Sequence, residues 1–143
     1  MRGAQALLHS AASELRLCMT PTQQQFEVLR DTAAQASIQG LPDGSHLIVV
    51  PGYELPDGWN KSRVDVKFIA PVGYPLARPD CFWTDTDLRL KTGGVPMNTG
   101  ATPLPFSPGT HLWFSWHVAA WNPNNDSLLT YLYVIKRRLH DPR

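Results

Sequence analysis

Residues 68–80 read Phe68-Ile69-Ala70-Pro71-Val72-Gly73-Tyr74-Pro75-Leu76-Ala77-Arg78-Pro79-Asp80, three prolines spaced around one tyrosine. Pro71, Pro75 and Pro79 each fix φ, so the chain is forced through a defined turn under which Tyr74 packs. On the N-terminal side, Val64, Val66 and Phe68 alternate with Arg63, Asp65 and Lys67. That period of two predicts a strand with one buried and one wet face. On the C-terminal side, Cys81 to Thr84 reads as a further short strand.

Toward the N-terminus, residues 46–50 form a β-branched run that predicts another strand. Leu41-Pro42-Asp43-Gly44 before it is a turn in which Pro presets φ and Gly accepts the positive φ. A short first strand is expected at Ile38-Gln39-Gly40. Thr20-Pro21-Thr22-Gln23 reads as a helix start, with Thr20 as N-cap, Pro21 in the first turn and Gln23 completing a capping box. Phe26, Leu29 and Ala33 then give that helix its buried stripe. Residues 1–18 lack the character of a signal peptide and read as a dispensable leader, with Met19 an alternative start. Residues 19–143 are expected to form one domain.

Toward the C-terminus, residues 85–109 are dominated by Gly and Pro and show no periodicity. A long irregular loop of this kind inside a small domain is more often functional than accidental. An aromatic cluster follows, Leu112-Trp113-Phe114-Ser115-Trp116-His117, and then Trp121-Asn122-Pro123. Asp126 is the expected N-cap of a final helix whose apolar stripe is Leu128, Leu132, Ile135 and Leu139. Lys136, Arg137 and Arg138 fall in its last turn, where cations suit the carbonyl end, and read as a solvated helix end. The order of elements predicts an α+β fold: an N-terminal helix, a four-stranded antiparallel meander, a long irregular loop and a C-terminal helix.

Composition narrows the function. The chain has 143 residues, 43% of them hydrophobic, and a formal net charge of +1. Near-neutral charge argues against nucleic acid or an anionic lipid surface as main partner. No apolar stretch is long enough to cross a bilayer, and a cytoplasmic protein is expected. Two cysteines, Cys18 and Cys81, are too few for a disulfide framework or a four-cysteine zinc site. His111 and His117 do not have metal-binding spacing, and Gly93-Gly94 lacks the context of a phosphate loop, so no metal and no cofactor is expected.

The segment around Tyr74-Pro75 and Pro79-Asp80, followed by Trp121-Asn122-Pro123 and a helix, resembles the ubiquitin-conjugating enzyme superfamily. Pro79-Asp80-Cys81-Phe82-Trp83, Ser115-Trp116-His117, and residues 121–126 running on to Thr130-Tyr131-Leu132 resemble its prokaryotic branch often labelled family E. The resemblance covers about residues 38–139. It implies a UBC-like fold in which Tyr74, Pro75, Pro79 and Asp80 are structural landmarks. It also implies two partners, a ubiquitin-like protein and an activating-enzyme-like protein. A conjugating enzyme of this superfamily carries its modifier as a thioester on a cysteine shortly before the Trp-x-Pro, because a thiolate is a good nucleophile and leaving group. It also usually carries His-Pro-Asn after the fourth strand.

This sequence departs from that pattern in both respects. The region after Trp83 reads Thr84-Asp85-Thr86-Asp87-Leu88-Arg89-Leu90, with no His-Pro-Asn, and no cysteine occurs from Phe82 to Arg143. Cys81 lies in a strand, where a small soft side chain packs, and Cys18 lies in the leader. The expectation is a bacterial conjugating-enzyme-like protein that is non-catalytic at the thioester position and acts by binding its partners. An active transfer enzyme using Cys81 or His117 remains an alternative, as does a non-catalytic interaction module of the related RWD type. By resemblance, Trp113, Ser115, Trp116, His117, Trp121 and Asp126 line the site. His117 has two open readings: an acid, base or partner contact, or a residue bonded to the long loop to hold it in place. A hydrolytic triad of Ser115, His117 and Asp126 is disfavoured, because nothing resembles the Gly-x-Ser-x-Gly turn of a nucleophile elbow.

Overall fold

In the computed structural model, which describes residues 19–143, the first helix α1 (Pro21–Thr32) begins with the capping box read from the sequence. The Thr20 hydroxyl accepts from the Gln23 backbone N–H, and the Gln23 side chain accepts from the Thr20 backbone N–H. Two of the helix's orphan donors are thereby satisfied. Phe26 and Leu29 are buried, and Ala33, at the helix end, is half-buried. The expected leader, with Cys18, lies outside the described residues.

The strands are β1 (Ser37–Gly40), β2 (His46–Glu54), β3 (Arg63–Ala70), β4 (Phe82–Asp85), β5 (Thr99–Gly100) and β6 (His111–Phe114). They form one antiparallel sheet in the order β1-β2-β3-β4-β6-β5. The four-stranded meander is therefore present as β1 to β4, and two short strands from the loop and the aromatic cluster extend it. Alternation in β3 is as expected: Val64, Val66, Phe68 and Ala70 are buried, while Arg63, Asp65, Lys67 and Ile69 are not. Gly44 takes φ +90° in the β1–β2 turn, as its position after Pro42-Asp43 requires.

The second helix, α2 (Leu128–Leu139), buries Leu128, Leu132, Ile135 and Leu139, together with Tyr131 and Arg138. Its N-cap is Ser127, not Asp126. Ser127 has the extended backbone of a cap and forms a capping box with Thr130. The Asp126 carboxylate closes the preceding turn instead, accepting from the Asn122 backbone N–H at 2.7 Å. Both helices pack on one face of the sheet, where Phe26, Leu29, Phe68, Phe82, Phe114, Leu128, Tyr131 and Ile135 share the main core.

The opposite face is not bare. Leu41, Leu47, Trp83 and Leu104 are buried there, with Cys81, Ile69 and Trp113 packed against them. Leu104 comes from the long loop, and the Trp83 indole N–H donates to the Thr102 carbonyl at 2.9 Å. Residues 102–104 thus fold back over the outer face of the sheet, while Leu88 from the same loop is buried in the main core. Arg138 also departs from the sequence reading. It is 1% exposed rather than solvated, with its guanidinium 5.9, 5.2 and 5.4 Å from the ring centroids of Trp59, Phe114 and Trp116.

Candidate functional site

The site grows from the pairing of β4 with β6. Phe82 faces Phe114 and Trp83 faces Trp113, and the Phe82 and Phe114 rings stack at 4.6 Å. Continuing that register past the strand ends brings the residues just before Phe82 alongside those just after Phe114. Asp80 meets His117 in this way, across a separation no local pattern reveals. The His117 Nδ1 lies 2.7 Å from both the backbone carbonyl and the carboxylate of Asp80. Two acceptors at Nδ1 place a hydrogen on that nitrogen, and in the neutral imidazole this leaves Nε2 as the acceptor. Ser115 Oγ is 3.4 Å from this Nε2. The side chains of His117 and Asp80 are 51% and 66% exposed, so the arrangement is open to an incoming molecule.

Three tethers hold this segment. The Trp121 indole N–H donates to the Pro75 carbonyl at 2.8 Å, and its ring lies against Tyr74 with centroids 6.0 Å apart. The Tyr74 hydroxyl donates to the Gln25 side-chain oxygen on α1, which also accepts from the Leu128 backbone N–H at the start of α2. The Tyr131 hydroxyl donates to the Trp116 carbonyl at 3.1 Å, directly between Ser115 and His117. Burial pushes the phenols of Tyr74 and Tyr131 well above their ordinary range, so both act as fixed neutral donors. The Tyr74-Pro75 bond is cis. Arg78 adds a bond from its guanidinium to the Val118 carbonyl at 3.3 Å.

The residues expected at the site divide accordingly. Ser115, His117 and Asp80 come together, with Trp116 between them held by Tyr131. Trp121 anchors the turn through Tyr74 and Pro75. Trp113 points toward Cys81 and the outer-face cluster. Asp126 is engaged with Asn122, so the carboxylate that reaches His117 is Asp80, and His117 bonds to the β3–β4 connection rather than to the long loop. The signal that would have found Asp80 was the β4–β6 register, which requires β6 to be recognised as a strand first. Among the described residues, no group of three or more His, Cys, Asp or Glu side chains is placed to hold a metal ion. None of the described helices is long and apolar enough to cross a membrane.

Cys81 sits half-buried beside this site. Burial pushes its thiol above the ordinary value, and a hydrogen bond from Trp113 offsets this only in part. A raised pKa means less thiolate at neutral pH, and the thiolate is the reactive form. Iodoacetamide is therefore expected to modify Cys81 more slowly at pH 7.5 than it modifies a free cysteine peptide, with peptide mass spectrometry reporting the site. Modification at the rate of the free peptide would contradict this environment.

A family model described as Prokaryotic E2 family E matches residues 24–141. The chain belongs to this family. No curated protein and no solved structure shows a significant match. The match spans both helices' cores, the whole sheet and the long loop, so the Ser115–His117–Asp80 cluster lies within the family-E region. In this family-E protein, the stretch between β4 and Trp121 contains no cysteine.

Proposed function

We propose that this family-E protein is a component of a bacterial ubiquitin-like modification system that binds a ubiquitin-like protein and an activating-enzyme-like protein without carrying the modifier on a cysteine. The observation that carries this reading is the missing nucleophile: the segment leading to Trp121 presents Ser115, Trp116 and His117 where a thioester carrier needs a thiol. Cys81 does not replace it. Its thiol is packed against the outer-face cluster, and its raised pKa keeps it protonated at neutral pH. A recognition surface can persist on a fold whose nucleophile is absent, because binding depends on shape and surface chemistry spread over many residues.

The test is direct. The purified protein is titrated with a ubiquitin-like protein and an activating-enzyme-like protein of the same genome, separately and together, by calorimetry or biolayer interferometry. Saturable binding is expected. No binding at high micromolar concentrations, with both partners present, would overturn the reading. In the same mixtures with ATP, no reductant-sensitive adduct should form. An adduct that disappears in Cys81→Ala would overturn it in favour of a cysteine-dependent transfer enzyme.

A further inference from the structure

We propose that Ser115, His117 and Asp80 form an acyl-transfer centre in which Ser115 Oγ is the nucleophile, His117 its general base and Asp80 the residue that positions the base. The substrate class is an activated acyl group, an ester or thioester, on an extended and accessible chain end.

The geometry carries the assignment in three steps. First, the tautomer is set. Nδ1 of His117 faces two oxygens of Asp80 at 2.7 Å and must donate there, which in the neutral imidazole leaves the Nε2 lone pair free. Second, that lone pair faces a hydroxyl. Ser115 Oγ is 3.4 Å away, longer than a tight hydrogen bond but within the loosened range seen for such pairs before substrate binds. Third, the frame is held while the face is open. The Tyr131 hydroxyl fixes the carbonyl of the intervening Trp116, Arg78 fixes that of Val118, and the imidazole remains half exposed. The same three residue types in the same relation recur on unrelated folds, so recognition depends on geometry rather than on chain order.

The reaction balances without an added oxidant or cofactor. Ser115 Oγ bonds to the acyl carbon as its proton passes to His117 Nε2. The tetrahedral species collapses by breaking the carbon–sulfur or carbon–oxygen bond, and His117 returns the proton to the departing thiol or alcohol. The product is an O-acyl serine. Water, deprotonated by His117, then attacks the same carbon, and Ser115 recovers its proton as the carboxylic acid leaves. Asp80 keeps the imidazole oriented and stabilises the cation that forms on it. This inference rests on the proposed function only for the identity of the natural acyl group, the C-terminal carboxyl of the ubiquitin-like partner.

For that reason the test uses a probe that needs no partner. The full chain is incubated with a fluorophosphonate, in which Ser115 Oγ would displace fluoride at phosphorus with its proton taken by His117. Modified peptides are mapped by mass spectrometry. Labelling of wild-type protein at Ser115 is expected, abolished in Ser115→Ala and unchanged in Cys81→Ser. His117→Gln is expected to slow labelling about 100-fold or more. Asp80→Asn should slow it on the order of tenfold with the thermal midpoint unchanged, which a purely structural role for Asp80 would not do. Absence of label at Ser115 in wild type would overturn the proposal, as would labelling whose rate is indifferent to His117→Gln. Failure here leaves partner binding untouched, and failure of partner binding leaves Ser115 reactivity untouched, so the two results separate.

Discussion

Arg138→Ala is expected to destabilise the fold by about 3–5 kcal/mol, the range for leaving buried polar partners and a cavity behind. Arg138 donates to the carbonyls of Asp141, Met97 and Arg143 at 3.0, 2.8 and 3.0 Å. It thereby joins the end of α2, the long loop and the chain's last residue at one point. Its charge is met by carbonyl dipoles and the faces of Trp59, Phe114 and Trp116. Burial is the main cause that pushes the guanidinium below its ordinary value, with nearby Arg143 adding to it. Truncation removes the ring contacts and all three bonds together. Arg138→Met keeps most of the volume, and it is expected to recover at least half of the loss, because a well-packed apolar side chain spares the desolvation of the charge. Urea unfolding followed by tryptophan fluorescence measures both. An alanine variant within 1 kcal/mol of wild type would refute the structural role assigned to Arg138.

The second large effect is expected from Phe68→Ala, again about 3–5 kcal/mol. Phe68 is fully buried at the middle of the central strand β3, and its ring meets that of Tyr131 on α2 at 5.2 Å. Its removal opens a cavity where the sheet meets the C-terminal helix. Tyr131→Phe serves as the comparison. It keeps the ring packing and removes only the bond to the Trp116 carbonyl, a change of about 1 kcal/mol. Equal losses from the two variants would show that the hydroxyl, rather than the ring contact, joins α2 to the sheet. The two sites share the main core through Phe114, so a double variant with Arg138→Met need not be additive.

Arg138 also shows how a sequence signal can be present and still mislead. It stands three residues after Ile135 and seven after Tyr131, on the face those residues bury. Read by charge it joins Lys136 and Arg137 as a solvated helix end. Read by position it belongs to the core, and the positional reading is the one the structure shows. The helix start differs for a similar reason. Asp126 and Ser127 are both good caps, and the choice depends on which one has extended backbone and a partner three residues on; Ser127 has Thr130.

The features legible in the chain of residues alone are local or periodic. The capping box at Thr20, the alternation of β3, the apolar stripe of α2, and the Tyr74-Pro75 and Trp121-Pro123 landmarks all depend on residues within a few positions of one another. So does the absence of a cysteine between β4 and Trp121. The remaining features depend on pairing across long separations in sequence. β6 and β5 are too short to show a period of their own, and they become strands because β4 and one another supply hydrogen-bond partners. Residues 102–104 of the long loop lie on the outer face of the sheet because Leu104 and Thr102 find Trp83 there. His117 takes Asp80, not the nearer Asp126, because an antiparallel register brings together residues 37 positions apart in sequence, while the turn closed by Asn122 holds Asp126 to itself.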